Sequence, residues 1–327
     1  MAETRIGLVG YGNLGRGVET ALANSPDQRL AAVFTRRDPA SITLVDANVP
    51  VVPLAEIEHW QGDLDVLILA GGSATDLPVQ GPELAAMFNT VDSFDTHADI
   101  PAYFDAVDMA ARAGGHLSLI SVGWDPGLFS LNRAYAQAVL PAGDTQTFWG
   151  KGVSQGHGDS IRRIPGVLDA VQYTVPSETA MAAARAGQGA GLTTRDKHRR
   201  LAYVVAADDA DQAEIETAIK TMPKYFADYD TEVRFITAAE LAAEHSGMPH
   251  GGLVIHSGTT SPGTQQAIQY QLTLDSNPEF TASVLVAYAR AAWRMYQAGE
   301  RGARTVLDVP PALLSPRTPA QLRAELL

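Results

Sequence analysis

Residues 5–15 read RIGLVGYGNLG, a short apolar run that leads into a turn with three glycines. The apolar run has the length and the branched side chains of a buried strand. Apolar side chains then recur at helical spacing from Leu14 to Leu22, and the pattern stops at residues 24–26, NSP. A strand, a glycine-rich turn and a helix in this order indicate the first unit of an α/β fold.

Further apolar runs predict that this unit continues into a sheet. Strands are expected at residues 30–34, 65–70, 90–94 and 117–122, with helical stretches between them. Such alternation favours a parallel, doubly wound sheet of the Rossmann type, with helices on both faces. Ligands of these sheets bind beyond the carboxyl ends of the strands. The loops that should converge there are GYGNLG at 10–15, GGSATD at 71–76, DTH at 95–97 and GWDPG at 123–127.

Composition excludes several classes of protein. The chain has 327 residues, is 46% hydrophobic and carries a formal net charge of −13, which argues against nucleic acid or an anionic membrane as a partner. It has no cysteine, so thiolate chemistry is excluded, and its eight histidines show no metal-site spacing, so no metal is expected. Without a signal-peptide pattern or an apolar run of spanning length, we expect a soluble, cytoplasmic protein.

The glycine-rich turn predicts a dinucleotide site. Gly10 permits the tight turn, Gly12 lets the backbone approach a pyrophosphate, and Gly15 lets the helix pack on the strand. The intervening Tyr11, Asn13 and Leu14 belong to the same loop.

The end of the second strand distinguishes NAD from NADP. An acid there would bind a ribose hydroxyl, whereas this chain has Thr35, Arg36 and Arg37, which suit a 2′-phosphate. The alternative is a solvated basic turn. The sequence therefore predicts an NADP-dependent oxidoreductase.

Acidic and cationic side chains elsewhere could carry the chemistry. Asp95 and Asp125 follow predicted strands at the cofactor edge, and Trp124 flanks the second. A carboxylate in a cleft can bind an ammonium group or accept a proton, although an Asp-Pro pair is also common in turns. Residues 123–295 contain further candidates for a functional site: Trp149, Thr174, Arg200, His250 and Asn277. The alternative is that each is an ordinary surface, loop or core residue.

The chain resembles the meso-diaminopimelate D-dehydrogenase family over nearly its whole length. The blocks that carry the likeness are GYGNLGRGVE, GSATD, VDSFDTHADIP, SVGWDPGLFSLNR, TFWGKGVSQGH, RRIPGV, QYTVPSE, GMPHGG and LDSNPEFTAS. Mild departures are Thr35, where the family usually has serine, and Gly71, where related chains carry methionine. The resemblance implies reversible, NADP-dependent deamination of the D-centre of meso-2,6-diaminopimelate, in lysine and peptidoglycan precursor metabolism.

The resemblance also assigns roles to residues and domains. It implies that Asp125, Asp95 and Trp124 surround the reacting centre, and that the loop residues Gly72, Ser73, Ala74 and Thr75 help to hold NADP. It implies a substrate pocket formed by Trp149, Gln155, Gly156, Thr174, Arg200, His250 and Asn277. A homodimer is expected, with an NADP domain at 1–122 completed by 296–327, and an α+β substrate-binding and dimerisation domain at 123–295.

Three alternatives remain open at the level of sequence. A dihydrodipicolinate reductase would share the cofactor unit, but its histidine- and lysine-rich catalytic stretch is not found. A broader D-amino acid dehydrogenase would differ only in substrate range. A protein that senses NADP without turnover would have no need of Asp95 and Asp125.

Overall fold

The computed structural model describes residues 3–223 and 225–327, and the side chain of Gln155 lies outside this description. Its strands are β1 Thr4–Val9, β2 Gln28–Thr35, β3 Val51–Pro53, β4 Val66–Leu69, β5 Thr90–Asp92, β6 Leu117–Leu119, β7 Gly143–Trp149, β8 Gly152–Val153, β9 Val167–Pro176, β10 His198–Ala206, β11 Asp230–Phe235, β12 His250–Ser261, β13 Thr264–Leu274 and β14 Gly302–Arg304. Its α-helices are α1 Asn13–Ala23, α2 Leu77–Ala85, α3 Ile100–Gly114, α4 Leu128–Val139, α5 Gln155–Arg162, α6 Glu178–Arg185, α7 Thr194–Lys197, α8 Gln212–Thr221, α9 Ala238–Glu244, α10 Asn277–Gln297 and α11 Pro319–Leu326.

The first compact unit comprises residues 1–131 and 278–327. Its core is a seven-stranded sheet in the order β14-β6-β5-β4-β1-β2-β3, and every neighbouring pair is parallel. Separate apolar clusters flank the sheet, one built around Ile6 and Leu8 and the other around Phe34 and Leu67. The predicted Rossmann-type α/β fold is confirmed.

The second compact unit comprises residues 132–277 and contains two smaller sheets. One has the order β11-β10-β9-β8 and mixes parallel with antiparallel pairs, and the other has the antiparallel order β13-β12-β7. Helices α5 and α8 contribute Ile161, Ile215 and Ile219 to an apolar cluster with the first of these sheets. This is the predicted α+β architecture.

The compact units divide at different residues from the predicted domains. Residues 278–295 are expected in the second domain, but α10 belongs to the first unit because its apolar side chains pack in the same cluster as Ile6 and Leu8. A bidentate ion pair between Arg290 and Asp27 adds to this attachment, with nitrogen-oxygen distances of 2.7–2.9 Å. Residues 123–131 also belong to the first unit.

None of the described helices is both long enough and apolar enough to cross a membrane.

Candidate active site

A cavity of about 280 Å³ lies at the carboxyl ends of β1, β2 and β4 in the first unit. It is lined by Val9, Gly10, Tyr11, Gly12, Phe34, Thr35, Arg36, Arg37, Leu54, Ala70, Gly71, Gly72, Asp76 and Gln80. Gly10 has a φ of 92°, a backbone angle that residues with a side chain rarely adopt. A β-carbon on Gly15 would collide with the Gly10 carbonyl. A β-carbon on Gly12 would meet no atom within 4 Å. Gly12 therefore faces open space, as a backbone that approaches a pyrophosphate requires.

The two arginines after β2 already have partners. Arg36 pairs with Asp76 at 2.8 Å, and Arg37 donates to the Tyr11 carbonyl at 2.5 Å. The hydroxyl of Thr35 accepts from the Arg37 amide at 3.0 Å. The Arg36 side chain is 65% exposed, so its pair with Asp76 is weak enough to be exchanged for a dianionic ligand. This hydroxyl and these guanidinium groups fit a 2′-phosphate.

A buried carboxylate supports the glycine-rich turn. The Tyr11 hydroxyl donates to Glu19 at 2.5 Å, and the other oxygen of Glu19 accepts from the amides of Val45 and Asp46 at 2.8 and 3.2 Å. Burial, together with the bond to Glu19, raises the pKa of Tyr11 to about 12. The phenol therefore stays protonated and ties the turn to residues 45–46.

The loop after β4 connects the cofactor cavity with Asp95. The amide of Gly72 donates to Asp76 at 2.9 Å, which closes the loop that also contains Ala74 and Thr75. The hydroxyl of Ser73 accepts from the Asp95 amide at 2.8 Å and lies 3.2 Å from the hydroxyl of Thr96. The position of Asp95 is thus fixed by a residue of the predicted cofactor loop.

Asp92, at the end of β5, joins the two loops that carry the predicted catalytic residues. Its carboxylate accepts from the amides of Phe94 and Ser121 at 2.9 and 3.0 Å and from the Tyr103 hydroxyl at 2.7 Å. Burial raises the pKa of Asp92 to about 6, against the lowering effect of these three hydrogen bonds. One side chain therefore holds the start of the Asp95 loop and the start of the Asp125 loop.

Residues 124–127 form a tight turn before α4. Trp124 and Gly127 make an isolated bridge, and the indole of Trp124 meets Phe129 edge-on with centroids 5.3 Å apart. A side chain on Gly127 would collide with the Gly123 carbonyl. Trp124 is buried and Asp125 is half-buried, which places an indole and a carboxylate side by side in this turn.

In the second unit, a row of paired residues crosses the sheet at Thr174. Gly152 pairs with Thr174, Thr174 pairs with Arg200, and Arg200 pairs with Thr231. Cross-strand partners share a face, so these positions lie on one side of the sheet. The imidazole of His250 packs where a side chain on Gly152 would lie. Thr174, Arg200 and His250, predicted from separate parts of the sequence, are thereby brought together.

Arg200 is a buried cation. It is 6% exposed, donates to the Thr174 hydroxyl, and lies over the Tyr229 ring at 3.9 Å. Burial lowers the pKa of Arg200, whereas Tyr229 raises it. No carboxylate in the described part of the chain pairs with this guanidinium. A buried charge is costly unless an opposite charge neutralises it, so Arg200 provides a site for an anion.

The remaining predicted pocket residues lie in the same unit. The amide of Trp149 donates to His198, whose ring stacks on the indole. Gly156 is exposed with open space beside its α-carbon, and the Asn277 amide donates to the Met248 carbonyl at 3.0 Å. Gln155 was also predicted, but its side chain is outside the described atoms.

The predicted residues thus form two groups, each within one unit. Asp95, Trp124, Asp125 and the cofactor residues lie in the first, and the distal substrate residues lie in the second. The sequence pattern did not indicate three residues that bond to the predicted ones or to their loops: Asp92, Glu19 and His198. The DxFD pattern at residues 92–95 was a signal for Asp92, because its first acid ends the predicted strand. Among the described residues, no cluster of side chains could hold a metal ion.

Comparisons with known proteins agree in pointing to one family. Residues 123–276 match the model described as the diaminopimelic acid dehydrogenase C-terminal domain. Meso-diaminopimelate D-dehydrogenase of Ureibacillus thermosphaericus is 58% identical over 327 residues, which cover 100% of both chains. A sextuple meso-DAPDH mutant from Clostridium tetani, solved with DAP, is 51% identical with a TM-score of 0.93, covering 99% of this chain and 100% of that chain. An engineered D-amino acid dehydrogenase bound to NADP+ is 48% identical with a TM-score of 0.86, covering 100% of each.

Proposed function

Because this chain belongs to the meso-diaminopimelate D-dehydrogenase family, we propose that it oxidatively deaminates the D-centre of meso-2,6-diaminopimelate. The reaction consumes water and NADP+ and yields L-2-amino-6-oxopimelate, ammonia, NADPH and a proton, and it is reversible. The oxo product cyclises to tetrahydrodipicolinate. NADP is the cofactor, and when bound it accepts the hydride that leaves the D-carbon.

The buried cation Arg200 carries the assignment of substrate. Meso-diaminopimelate has an amino acid group at each end, so an enzyme specific for it must bind a carboxylate far from the reacting carbon. Arg200, with Thr174 beside it and His250 over Gly152, offers a charge-assisted site for that distal carboxylate. A substrate without a second carboxylate would leave this cation unneutralised.

We assign the proximal end of the substrate to Asp95, Trp124 and Asp125. The carboxylates suit the D-ammonium group, and Asp125 is the group that manages protons when water adds to the imine carbon. The hydrogen bonds of Asp92 support this assignment, because they connect the loop that carries Asp95 with the loop that carries Asp125. Trp149, Gln155, Gly156 and Asn277 complete the proposed pocket.

The Clostridium tetani variant supports the distal assignment. The residues replaced in it are of the types Gln, Thr, Arg, Pro, His and Asn. The same types recur in this chain, in the same order and at the same spacing, as Gln155, Thr174, Arg200, Pro249, His250 and Asn277. Five of these six positions are also predicted from the sequence, and Pro249 is the addition.

The test compares substrates by their yield of NADPH. Purified protein with NADP+ is given meso-, LL- and DD-diaminopimelate, D-lysine and D-alanine in turn. Turnover confined to the meso isomer is the expected result. Comparable rates with D-lysine or D-alanine would identify a broader D-amino acid dehydrogenase, and NADP+ binding without turnover of any substrate would identify a sensor.

We further propose a cytoplasmic homodimer, as the family resemblance implies. Light scattering after size-exclusion chromatography measures the mass in solution. A mass of one chain across the working concentration range would contradict the dimer.

A further inference from the structure

Four buried side-chain polar atoms that lack a hydrogen-bond partner in the described structure belong to Arg200 and to residues on the two strands beside it. They are Nε of Arg200 itself, both amide atoms of Gln172, and the hydroxyl of Thr231. Gln172 is 0% exposed. Buried amides are nearly always hydrogen-bonded, so a completely buried one that lacks a partner requires an explanation.

The strand register places these atoms next to one another. Gln172 precedes Thr174 by two residues on β9 and therefore shares its face of the sheet, towards which Arg200 also projects. Gln172 pairs with Ala202 and is thus the diagonal neighbour of Arg200, within reach of a long side chain. Thr231 is directly opposite Arg200 on β11. Two strands therefore present acceptors to one guanidinium group.

The donors and acceptors are complementary. Nε of Arg200 can only donate, and the amide oxygen of Gln172 can only accept. Meanwhile Nη1 of Arg200 is engaged by Thr174, and the guanidinium plane lies on Tyr229. A hydrogen bond from Nε to the amide oxygen of Gln172 would therefore let β9 hold the guanidinium at both Nε and Nη1.

We propose that Gln172 is a positioning residue for the distal carboxylate of the substrate, with Thr231 as its counterpart on the other side of Arg200. The amide oxygen of Gln172 accepts from Nε when substrate binds, which fixes the guanidinium plane so that the N–H groups not bound to Gln172 or Thr174 are presented to the carboxylate. Gln172 does not touch the substrate and acts only through Arg200. This inference rests on the function proposed above.

Replacement of Gln172 by leucine tests the inference in the full-length enzyme. Leucine has a similar volume and cannot accept a hydrogen bond, so Gln172→Leu should raise KM for meso-diaminopimelate about tenfold, the scale of one lost charge-assisted hydrogen bond. The values of kcat and of KM for NADP+ should stay within about twofold. The midpoint of thermal unfolding should not fall, because the substitution removes a buried amide that lacks a partner. A role in stability alone would lower that midpoint and leave KM unchanged.

Two further variants keep the test independent of one substitution. Gln172→Glu places a carboxylate beside Arg200 that competes with the substrate, so its KM for meso-diaminopimelate should rise more than that of Gln172→Leu. Thr231→Val should raise the same KM by a smaller factor. Gln212→Leu makes the matched change at an exposed position on α8 and should leave all constants unchanged.

The two proposals fail in different ways. If wild-type enzyme turns over meso-diaminopimelate but Gln172→Leu and Gln172→Glu both keep KM within twofold of it, the role of Gln172 is overturned and the function stands. If wild-type enzyme does not turn over meso-diaminopimelate at all, the proposed function falls, and the role of Gln172 falls with it.

Discussion

The imidazole of His198 accepts a hydrogen bond from the backbone amide of Trp149, with 2.9 Å between the two nitrogen atoms, and its ring stacks on the Trp149 indole at 5.3 Å. Only a neutral imidazole has a nitrogen that can accept. Burial, then the charges of Arg200 and Lys197, lower the pKa of His198 to about 4. At neutral pH the ring is therefore in the form that holds Trp149 in the proposed pocket.

We expect His198→Phe to weaken substrate binding. Phenylalanine can still stack on Trp149 but offers no acceptor to its amide, so KM for meso-diaminopimelate should rise several-fold while KM for NADP+ is unchanged. The loss of a buried hydrogen bond should reduce the free energy of unfolding by about 1–3 kcal/mol. Steady-state kinetics and denaturant unfolding measure the two effects. His59→Phe at an exposed position is the control, and an unchanged substrate KM in His198→Phe would contradict the role.

The lowered pKa of His198 predicts how the stability of the protein depends on pH. His157 is a second case, since burial and then Arg200 lower its pKa to about 4. As pH falls through the ordinary value of 6.5, the unfolded chain takes up protons that the folded chain does not bind until pH 4. The contribution of these two histidines to stability is therefore complete above pH 6.5 and is lost towards pH 4, by about 3 kcal/mol for each histidine.

Denaturant titrations at pH 7 and pH 4.5 measure this loss. His198→Phe should show a smaller difference between the two pH values than the wild type, whatever its absolute stability. An equal difference in the two proteins would show that His198 does not bind its proton more weakly in the folded state.

The sequence predicted the parts of the fold that have long or regular patterns. The runs at residues 5–9 and 30–34 became β1 and β2, and Leu14 to Leu22 lies in α1. Strands β3 and β14 have only three residues each and were not predicted, whereas the equally short β5 and β6 lie within the longer predicted runs at 90–94 and 117–122. Residues 278–295 were expected in the second domain, whereas α10 packs in the first unit. A helix pattern shows which face is apolar and does not show which sheet covers it.

The stability of Asp92→Asn relative to wild type should increase as pH rises. The pKa of Asp92 is about 6 in the folded chain, above its ordinary value of 3.8, so the contribution of Asp92 to wild-type stability is complete below pH 3.8 and falls as pH rises to 6. Asparagine stays neutral and keeps an oxygen for the amides of Phe94 and Ser121. The difference between variant and wild type should therefore grow by about 2 kcal/mol between pH 4 and pH 8.

Guanidinium unfolding at the two pH values measures this difference. Asp92→Ala is the contrasting variant, because it removes the acceptor from both loops and should reduce kcat as well as stability. A difference between Asp92→Asn and wild type that does not change with pH would contradict a raised pKa.

Gly12→Ala and Gly15→Ala separate cofactor binding from folding. A β-carbon on Gly12 meets no protein atom within 4 Å, whereas one on Gly15 collides with the Gly10 carbonyl. Gly12→Ala should therefore leave the unfolding midpoint unchanged and raise KM for NADP+ at least tenfold, because its methyl group occupies the space of the pyrophosphate. Gly15→Ala should lower the midpoint. Unchanged NADP+ binding in Gly12→Ala would exclude this turn from the cofactor site.

For the candidate site, the sequence indicates residues proposed to contact substrate or cofactor, but not those proposed to act through a neighbour. Asp95 and Asp125 were predicted because they follow strands. Arg36 was predicted because an arginine at the end of the second strand commonly binds the 2′-phosphate of NADP. Gln172 and His198 gave no such signal, since their importance depends on what faces them across a sheet. The register of β9 with β10, and the packing of His198 against Trp149, arise only in the folded chain.

The double variant Arg36→Ala with Arg37→Ala tests the preference for NADP. Each arginine can make a charge-assisted hydrogen bond to a 2′-phosphate, worth about 1.5–3 kcal/mol, so KM for NADP+ should rise at least a hundredfold. KM for meso-diaminopimelate should change less than twofold, and KM for NAD+ should change little because that cofactor has no 2′-phosphate. Asp76→Asn removes the partner of Arg36 and should lower KM for NADP+. Arg29→Ala, at an exposed ion pair with Glu3, is the control for loss of positive charge. Equal increases in KM for NADP+ and for the amino substrate would overturn the assignment of these arginines to the 2′-phosphate.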